Sequence, residues 1–104
     1  MDQVLERIVK TIDEKKGKNI VAIDVSKVNP LVKTFIICEV NSERQNLALA
    51  HALEDELTKI NYPIRRIEGR QGERKWILVD ANDYIIHIFD VNEREKYKLE
   101  VLWG

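Results

Sequence analysis

The chain has 104 residues, of which 44% are hydrophobic and 34% charged, a length and balance that suit one small folded domain and argue against disorder. Lys and Arg number 17 against 18 Asp and Glu, a net charge of −1, which excludes a grip on nucleic acid resting on an excess of positive charge. Cys38 is the only cysteine, so no intrachain disulfide can staple the fold. Uninterrupted apolar runs are far shorter than the roughly 20 residues that cross a bilayer. Charges at Asp2, Glu6, Arg7 and Lys10 break any signal-peptide core, and the expected compartment is the cytosol.

Val4, Leu5, Ile8, Val9 and Ile12 recur at spacings of three and four, which predicts a helix with one apolar stripe. Asp2 is placed to cap it, and Gly17 to end it after Lys15 and Lys16. Two short apolar runs follow, Ile20 to Ile23 and Phe35 to Cys38, separated by the turn signal Asn29-Pro30. Neither alternates with polar residues, so both read as central strands covered by helices on either side. Ser42 and Gln45 form a capping-box pattern. The helix they open runs from about Glu43 to Ile60, with Leu49, Leu53, Leu57 and Ile60 on one face and Asn61-Tyr62-Pro63 as its stop.

Ile64 to Ile67 is a weak strand that carries Arg65 and Arg66 and belongs near an edge. Gly69 to Gly72 is a turn. Trp76–Val79 and Tyr84–Phe89 are strands joined through Asp80-Ala81-Asn82-Asp83 as a hairpin. A short last helix from about Asn92 holds Tyr97, Leu99, Val101, Leu102 and Trp103. The order αββαβββα predicts an α/β fold: a single domain over residues 1–104, with a mixed sheet of about five strands flanked by helices. The unit from Phe35 to Ile67 is expected to be a right-handed parallel crossover.

The residues that carry chemistry are sparse. Asp24, Asp80 and Asp83 sit at strand ends and in the hairpin, where Asp commonly bonds its own backbone. His87 lies between Ile86 and Ile88 and reads as a hydrogen-bonded histidine at the core. His51 falls about 200° around its helix from Leu49, on the exposed side. With Cys38 these make no zinc spacing. Cys38 sits inside an apolar strand, where a thiol is inert filling. No nucleophile elbow, P-loop or dinucleotide fingerprint is present. From Arg65 to Lys75 five cations (Arg65, Arg66, Arg70, Arg74, Lys75) stand against Glu68 and Glu73, either a solvated loop or a contact with RNA phosphates.

The stretches Trp76-Ile77-Leu78-Val79-Asp80, Asp83-Tyr84-Ile85-Ile86-His87-Ile88-Phe89 and Tyr97-Lys98-Leu99-Glu100-Val101-Leu102-Trp103 resemble the ribosomal silencing factor, or Iojap-like, family. Asp24-Val25, Ser42 with Arg44, and Glu68-Gly69 agree with it. The resemblance covers nearly the whole chain. It implies a nucleotidyltransferase-like α/β fold without the catalytic acids, no cofactor and no metal. It also implies a translation repressor that binds the large ribosomal subunit through its universal protein number fourteen and blocks association with the small subunit. The chain departs from the family at Val32-Lys33, where Thr-Asp is typical, and at Glu39-Val40-Asn41-Ser42, where a glycine is often found; the lost glycine removes a phosphate-cradling turn.

On this basis the chain is expected not to be an enzyme. Its docking patch is expected at Trp76, Asp80, Tyr97, Glu68 and Trp103, with a neighbouring ribosomal RNA contact through Arg65 to Lys75 and a homodimer of the free chain as open additions. The alternatives are a vestigial nucleotidyltransferase-like enzyme using Asp24, Asp80 or Asp83, and an RNA-binding accessory factor using Arg65 to Lys75.

Overall fold

Helix α1 (Gln3–Glu14) starts where the Asp2 carboxylate accepts from the Val4 amide at 2.8 Å, satisfying one of the free donors of the first turn. It buries Ile8, Thr11 and Ile12. Its end differs in detail from the expected glycine cap. Lys16 takes the left-handed backbone conformation, with φ of 66°, while the Gly17 amide donates to the Ile12 carbonyl at 2.8 Å. Gly17 is needed for a different reason: a Cβ there would lie 2.4 Å from Ile12 Cγ2 and 3.1 Å from the Ile12 carbonyl oxygen. Gly17→Ala is therefore expected to destabilise the fold by about 1–2 kcal/mol, the overpacking cost exceeding the entropy gained in the unfolded chain. A lower urea midpoint with unchanged slope reads this out.

The structure, a computed structural model, describes residues 2–69 and 75–97. After α1 come β1 (Lys18–Asp24), β2 (Thr34–Val40), α2 (Glu43–Lys59), β3 (Arg66–Glu68), β4 (Trp76–Ala81), β5 (Tyr84–Asp90) and α3 (Val91–Tyr97). This is the expected order of elements. The five strands form one sheet in the order β1-β2-β5-β4-β3. Strands β2 and β5 pair in parallel, and the other three pairings are antiparallel.

Helix α2 begins at Ser42, whose hydroxyl accepts from the Gln45 amide while Gln45 Oε1 accepts from the Asn41 amide, the capping box read from the sequence. It stops at Asn61, which takes φ of 59°, with the Tyr62 amide closing on the Leu57 carbonyl. Helices α1 and α2 pack on one another and on one face of the sheet. There Ile36, Cys38, Val40, Ile77, Val79, Ala81, Tyr84, Ile86 and Ile88 meet Ile8, Ile12, Leu49, Leu53 and Leu57. The period-2 alternation of β2, β4 and β5 selects this set.

One expectation needs correction. The run Ile20 to Ile23 is not a central strand: β1 pairs only with β2 and stays largely half-buried or exposed. A short apolar run does not distinguish a two-sided interior strand from an edge strand whose inner residues alone are covered. The crossover from β2 through α2 is parallel, as expected: β3 runs in the direction of β2, although it lies at the opposite edge, beyond β5 and β4, and the parallel neighbour of β2 is β5. On the second face of the sheet α3 is pinned by Arg94. Its guanidinium bonds the Asn19 carbonyl, at a bulge of β1, and lies 3.2 Å from Glu39 Oε1. Residues 98–104, including the second half of the expected last helix, lie outside the described residues.

Candidate docking surface

The second sheet face is laid out by strand register. Glu68, Leu78, His87, Ile37 and Val21 form one row across all five strands, and Arg66, Asp80, Ile85, Phe35 and Ile23 form the row beside it. On the other flank Trp76 stands opposite Phe89, which in turn neighbours Glu39. Strand β3 ends at Glu68, opposite Leu78. Trp76, the first residue of β4, is half-buried.

An aromatic cluster holds Trp76 in place. The Trp76 and Phe89 rings are 4.9 Å apart, Trp76 and His87 5.9 Å, and Phe35 and His87 5.2 Å in an edge contact. Trp76 Nε1–H donates to His87 Nδ1 at 3.2 Å. A nitrogen that accepts carries no proton, so the neutral imidazole bears its hydrogen on Nε2. Nε2 meets no hydrogen-bond partner among the described residues. Burial penalises the charged ring and pushes the His87 pKa down to about 4. His87 is thus the hydrogen-bonded core histidine that the sequence suggested, and it acts as a fixed acceptor that sets the indole. The alternation in His87-Ile88-Phe89, facing Trp76 across an antiparallel pair, was the available signal for this cluster.

The remaining predicted patch residues separate. Asp80 shares the face of Trp76 but lies four residues further along β4, roughly 13 Å at the usual rise per residue. It is only 7% exposed. One of its oxygens accepts from the Asn82 amide at 3.1 Å, and the other lies 3.6 Å from Arg66 Nε. Glu68 is exposed and lies 3.4 Å from Arg66 Nη1. Tyr97 closes α3, and its side chain, like Trp103, falls outside the described residues. In the basic stretch, Arg65 and Arg66 are exposed and Lys75 is half-buried, whereas Arg70 and Arg74 lie outside the described residues.

The residues weighed for catalysis are engaged otherwise. The Asp24 carboxylate accepts from the Ser26 hydroxyl at 2.6 Å and the Ser26 amide at 2.9 Å, bonds that hold its pKa down. Cys38 is buried, and desolvation raises its thiol pKa to about 12, far from a reactive thiolate. Among the described residues no three His, Cys, Asp or Glu side chains come together as a metal site. The groove between α1 and α2 is lined by Glu14, Asp55 and Glu56 against Lys15 and Lys59, with Thr11, Thr58 and Ala52. Its nearest ion pairs are Arg7–Glu56, which ties the two helices together, and Lys59–Glu56 within α2. No helix among the described residues is long and apolar enough to cross a membrane.

Comparison with known proteins agrees with this geometry. The family model described as ribosomal silencing factor during starvation matches residues 1–104. The ribosomal silencing factor RsfS of Halalkalibacterium halodurans is 36% identical over 102 residues, covering 98% of this chain and 86% of that protein. The RsfS of Bacillus subtilis is 33% identical, covering 97% and 85%. The crystal structure of a Chromobacterium violaceum protein matches with a TM-score of 0.93 at 31% identity, over 100% of this chain and 88% of the other. The resemblance carried by the Trp76, His87 and Tyr97 stretches is therefore matched along the full length, and the chain belongs to the ribosomal silencing factor family.

Proposed function

We propose that this chain acts as a translation repressor without catalysis. It docks on the large ribosomal subunit through the universal protein number fourteen and keeps the small subunit from joining, in the cytoplasm and under nutrient limitation. The observation that supports this most is Trp76: a half-buried indole at the start of β4, fixed by His87 and Phe89 and bordered by the exposed Glu68. Fixed, half-exposed aromatic residues are the commonest anchors of protein interfaces. Ribosomal proteins are usually basic, and Glu68 offers the complementary charge. Tyr97 and Trp103 complete the proposed patch from the C-terminal segment, and Asp80 adds negative charge at its far end.

A repressor of this kind needs surface and bulk but no turnover. A standard interface takes about 800 Å² from each partner. The molecule measures 31 × 29 × 22 Å, so bound on the joining face it stands too high for a second subunit to close over it. An RNA-led reading through Arg65 to Lys75 has less support, because Arg66 is already balanced by Glu68 and Asp80. Sedimentation with separated subunits tests the proposal. The chain is expected to travel with the large subunit and not the small one, with only a shallow loss as salt rises. Equal binding to both, or a steep salt dependence of the kind phosphate contacts produce, contradicts it.

A further inference from the structure

Helix α3 lies on the second face of the sheet, against β2 and β5, and follows β5 without a loop. Asp90 opens it, one carboxylate oxygen accepting from the amides of Asn92 and Glu93. Its seven residues are too few to hold a helix by themselves. Among its described side chains Val91 and Asn92 are exposed, Glu93 is half-buried and Arg94 alone is buried. The Arg94 guanidinium donates to the Asn19 carbonyl of β1 and to Glu39 Oε1 of β2, the latter at 3.2 Å. That same Glu39 oxygen accepts from Asn19 Nδ2 at 2.9 Å. Asn19 sits in the irregular step of β1 between Lys18 and Val21, with φ of 51°. A bulge takes a residue out of the ladder and leaves its carbonyl to another donor, and asparagine tolerates the left-handed conformation. The Arg94 and Glu39 side chains are 9% and 15% exposed, whereas Lys59–Glu56 and Arg66–Glu68 each keep a partner mostly in water.

We propose that Arg94 is a positioning residue for docking: its bonds to Glu39 and Asn19 fix α3 at one place on the sheet, beside the Trp76 cluster. The assignment rests on the docking reading above and names what sets the surface, beyond the residues that touch the partner. Strand register ties the two parts together. Glu39 neighbours Phe89, and Phe89 stands opposite Trp76. The anchor of α3 and the indole therefore end one cross-strand row, two strands or roughly 10 Å apart at the usual strand spacing. Tyr97, which closes α3, follows Arg94 by less than one helical turn, so its backbone moves with the anchor. A shielded ion pair adds little net stability against its desolvation cost, yet a guanidinium and a carboxylate bond well in few geometries. A helix held this way meets a partner already ordered. A frayed α3 would have to be ordered on binding, and that cost lowers affinity.

The test uses the full chain and three variants. Arg94→Met keeps most of the aliphatic stem and removes the guanidinium, Glu39→Gln removes the charge and keeps an acceptor, and Arg94→Lys keeps the charge. Amide hydrogen exchange and sedimentation with purified large subunits are measured at a temperature where circular dichroism shows the chains folded. Exchange in α3 is expected to speed up by about tenfold or more in Arg94→Met, with α2 and β4 at the wild-type rate. Binding to the subunit is expected to weaken about tenfold in Arg94→Met and about threefold in Glu39→Gln, while Arg94→Lys restores most of it. Should Arg94→Met fail to fold, Glu39→Gln decides the matter by the same two measurements. A role in stability alone lowers the urea midpoint and leaves the affinity of the folded chain unchanged. That result, or wild-type exchange in α3 of the variants, overturns the positioning role while docking stands. A wild-type chain that does not sediment with the large subunit overturns both readings.

Discussion

Trp76→Ala is expected to weaken binding to the large ribosomal subunit by about thirtyfold or more, the roughly 2 kcal/mol that defines an interface hot spot. The same substitution removes the contacts of the indole with Phe89 and His87 and leaves His87 Nδ1 without its donor. Truncating a half-buried aromatic ring and stranding a buried acceptor costs about 2–4 kcal/mol of stability. A domain with the usual reserve of about 5–15 kcal/mol survives that loss. Circular dichroism melting and sedimentation, run on the same variant, separate the two effects. Trp76→Phe is the milder companion: it keeps a ring against Phe89, loses the hydrogen bond, and should retain more binding than alanine. A folded Trp76→Ala chain that binds as tightly as wild type would remove Trp76 from the interface.

Mild acid should destabilise the domain through His87. Its pKa in the folded chain is about 4, lowered by burial from an ordinary 6.5. Between those values the unfolded chain binds a proton that the folded chain refuses. The stabilisation is therefore complete above pH 6.5 and is lost as pH falls toward 4. The expected loss is about 2 kcal/mol at pH 5 and about 3 kcal/mol at pH 4, since each tenfold difference in proton affinity between the folded and unfolded chain is worth about 1.4 kcal/mol. The carboxylates of Asp24 and Glu56 are held below their ordinary values, the first by Ser26 and the second by Lys59 and Arg7. They lose their stabilisation only at lower pH, so the interval from 6.5 to 5 isolates the histidine. Urea unfolding at several pH values checks this. His87→Asn, which places an amide oxygen as acceptor toward the indole and does not titrate, should flatten the dependence in that interval. An equal slope in both proteins would show that another group carries the acid sensitivity.

Much of the fold is legible because its signals are local. The Ser42–Gln45 capping box, the stop at Asn61, the apolar stripe of α1 and the alternation around Ile77 and Ile86 each depend on residues within one element. What was not legible depends on which element becomes a neighbour. The run Ile20–Ile23 is as apolar as Phe35–Cys38, yet β1 lies at an edge and β2 in the interior. Gly17 looked like a left-handed helix cap, but Lys16 takes that conformation, and the glycine answers to the side chain of Ile12.

The candidate site shows the same division. Trp76 was readable as a marginal aromatic residue because it follows Glu73-Arg74-Lys75. The bond from its indole to His87 was not, since it spans two strands and depends on the β4–β5 register. Asp80 appeared to belong beside Trp76 because both lie on β4. Even spacing along a strand secures a common face but not proximity, and the Asp80 carboxylate is occupied by the hairpin and Arg66.

If the bound domain excludes the small subunit by occupying space, the outcome must depend on which partner reaches the large subunit first. Gradient profiles with the order of addition varied measure this. Chain added to free large subunits before the small subunits should reduce the joined ribosome peak, and excess small subunit should restore it by mass action. The same amount added after joining should leave that peak nearly unchanged, because the docking site is already covered. Binding to joined ribosomes as readily as to free large subunits, with subunit joining unaffected, would rule out steric exclusion by this chain.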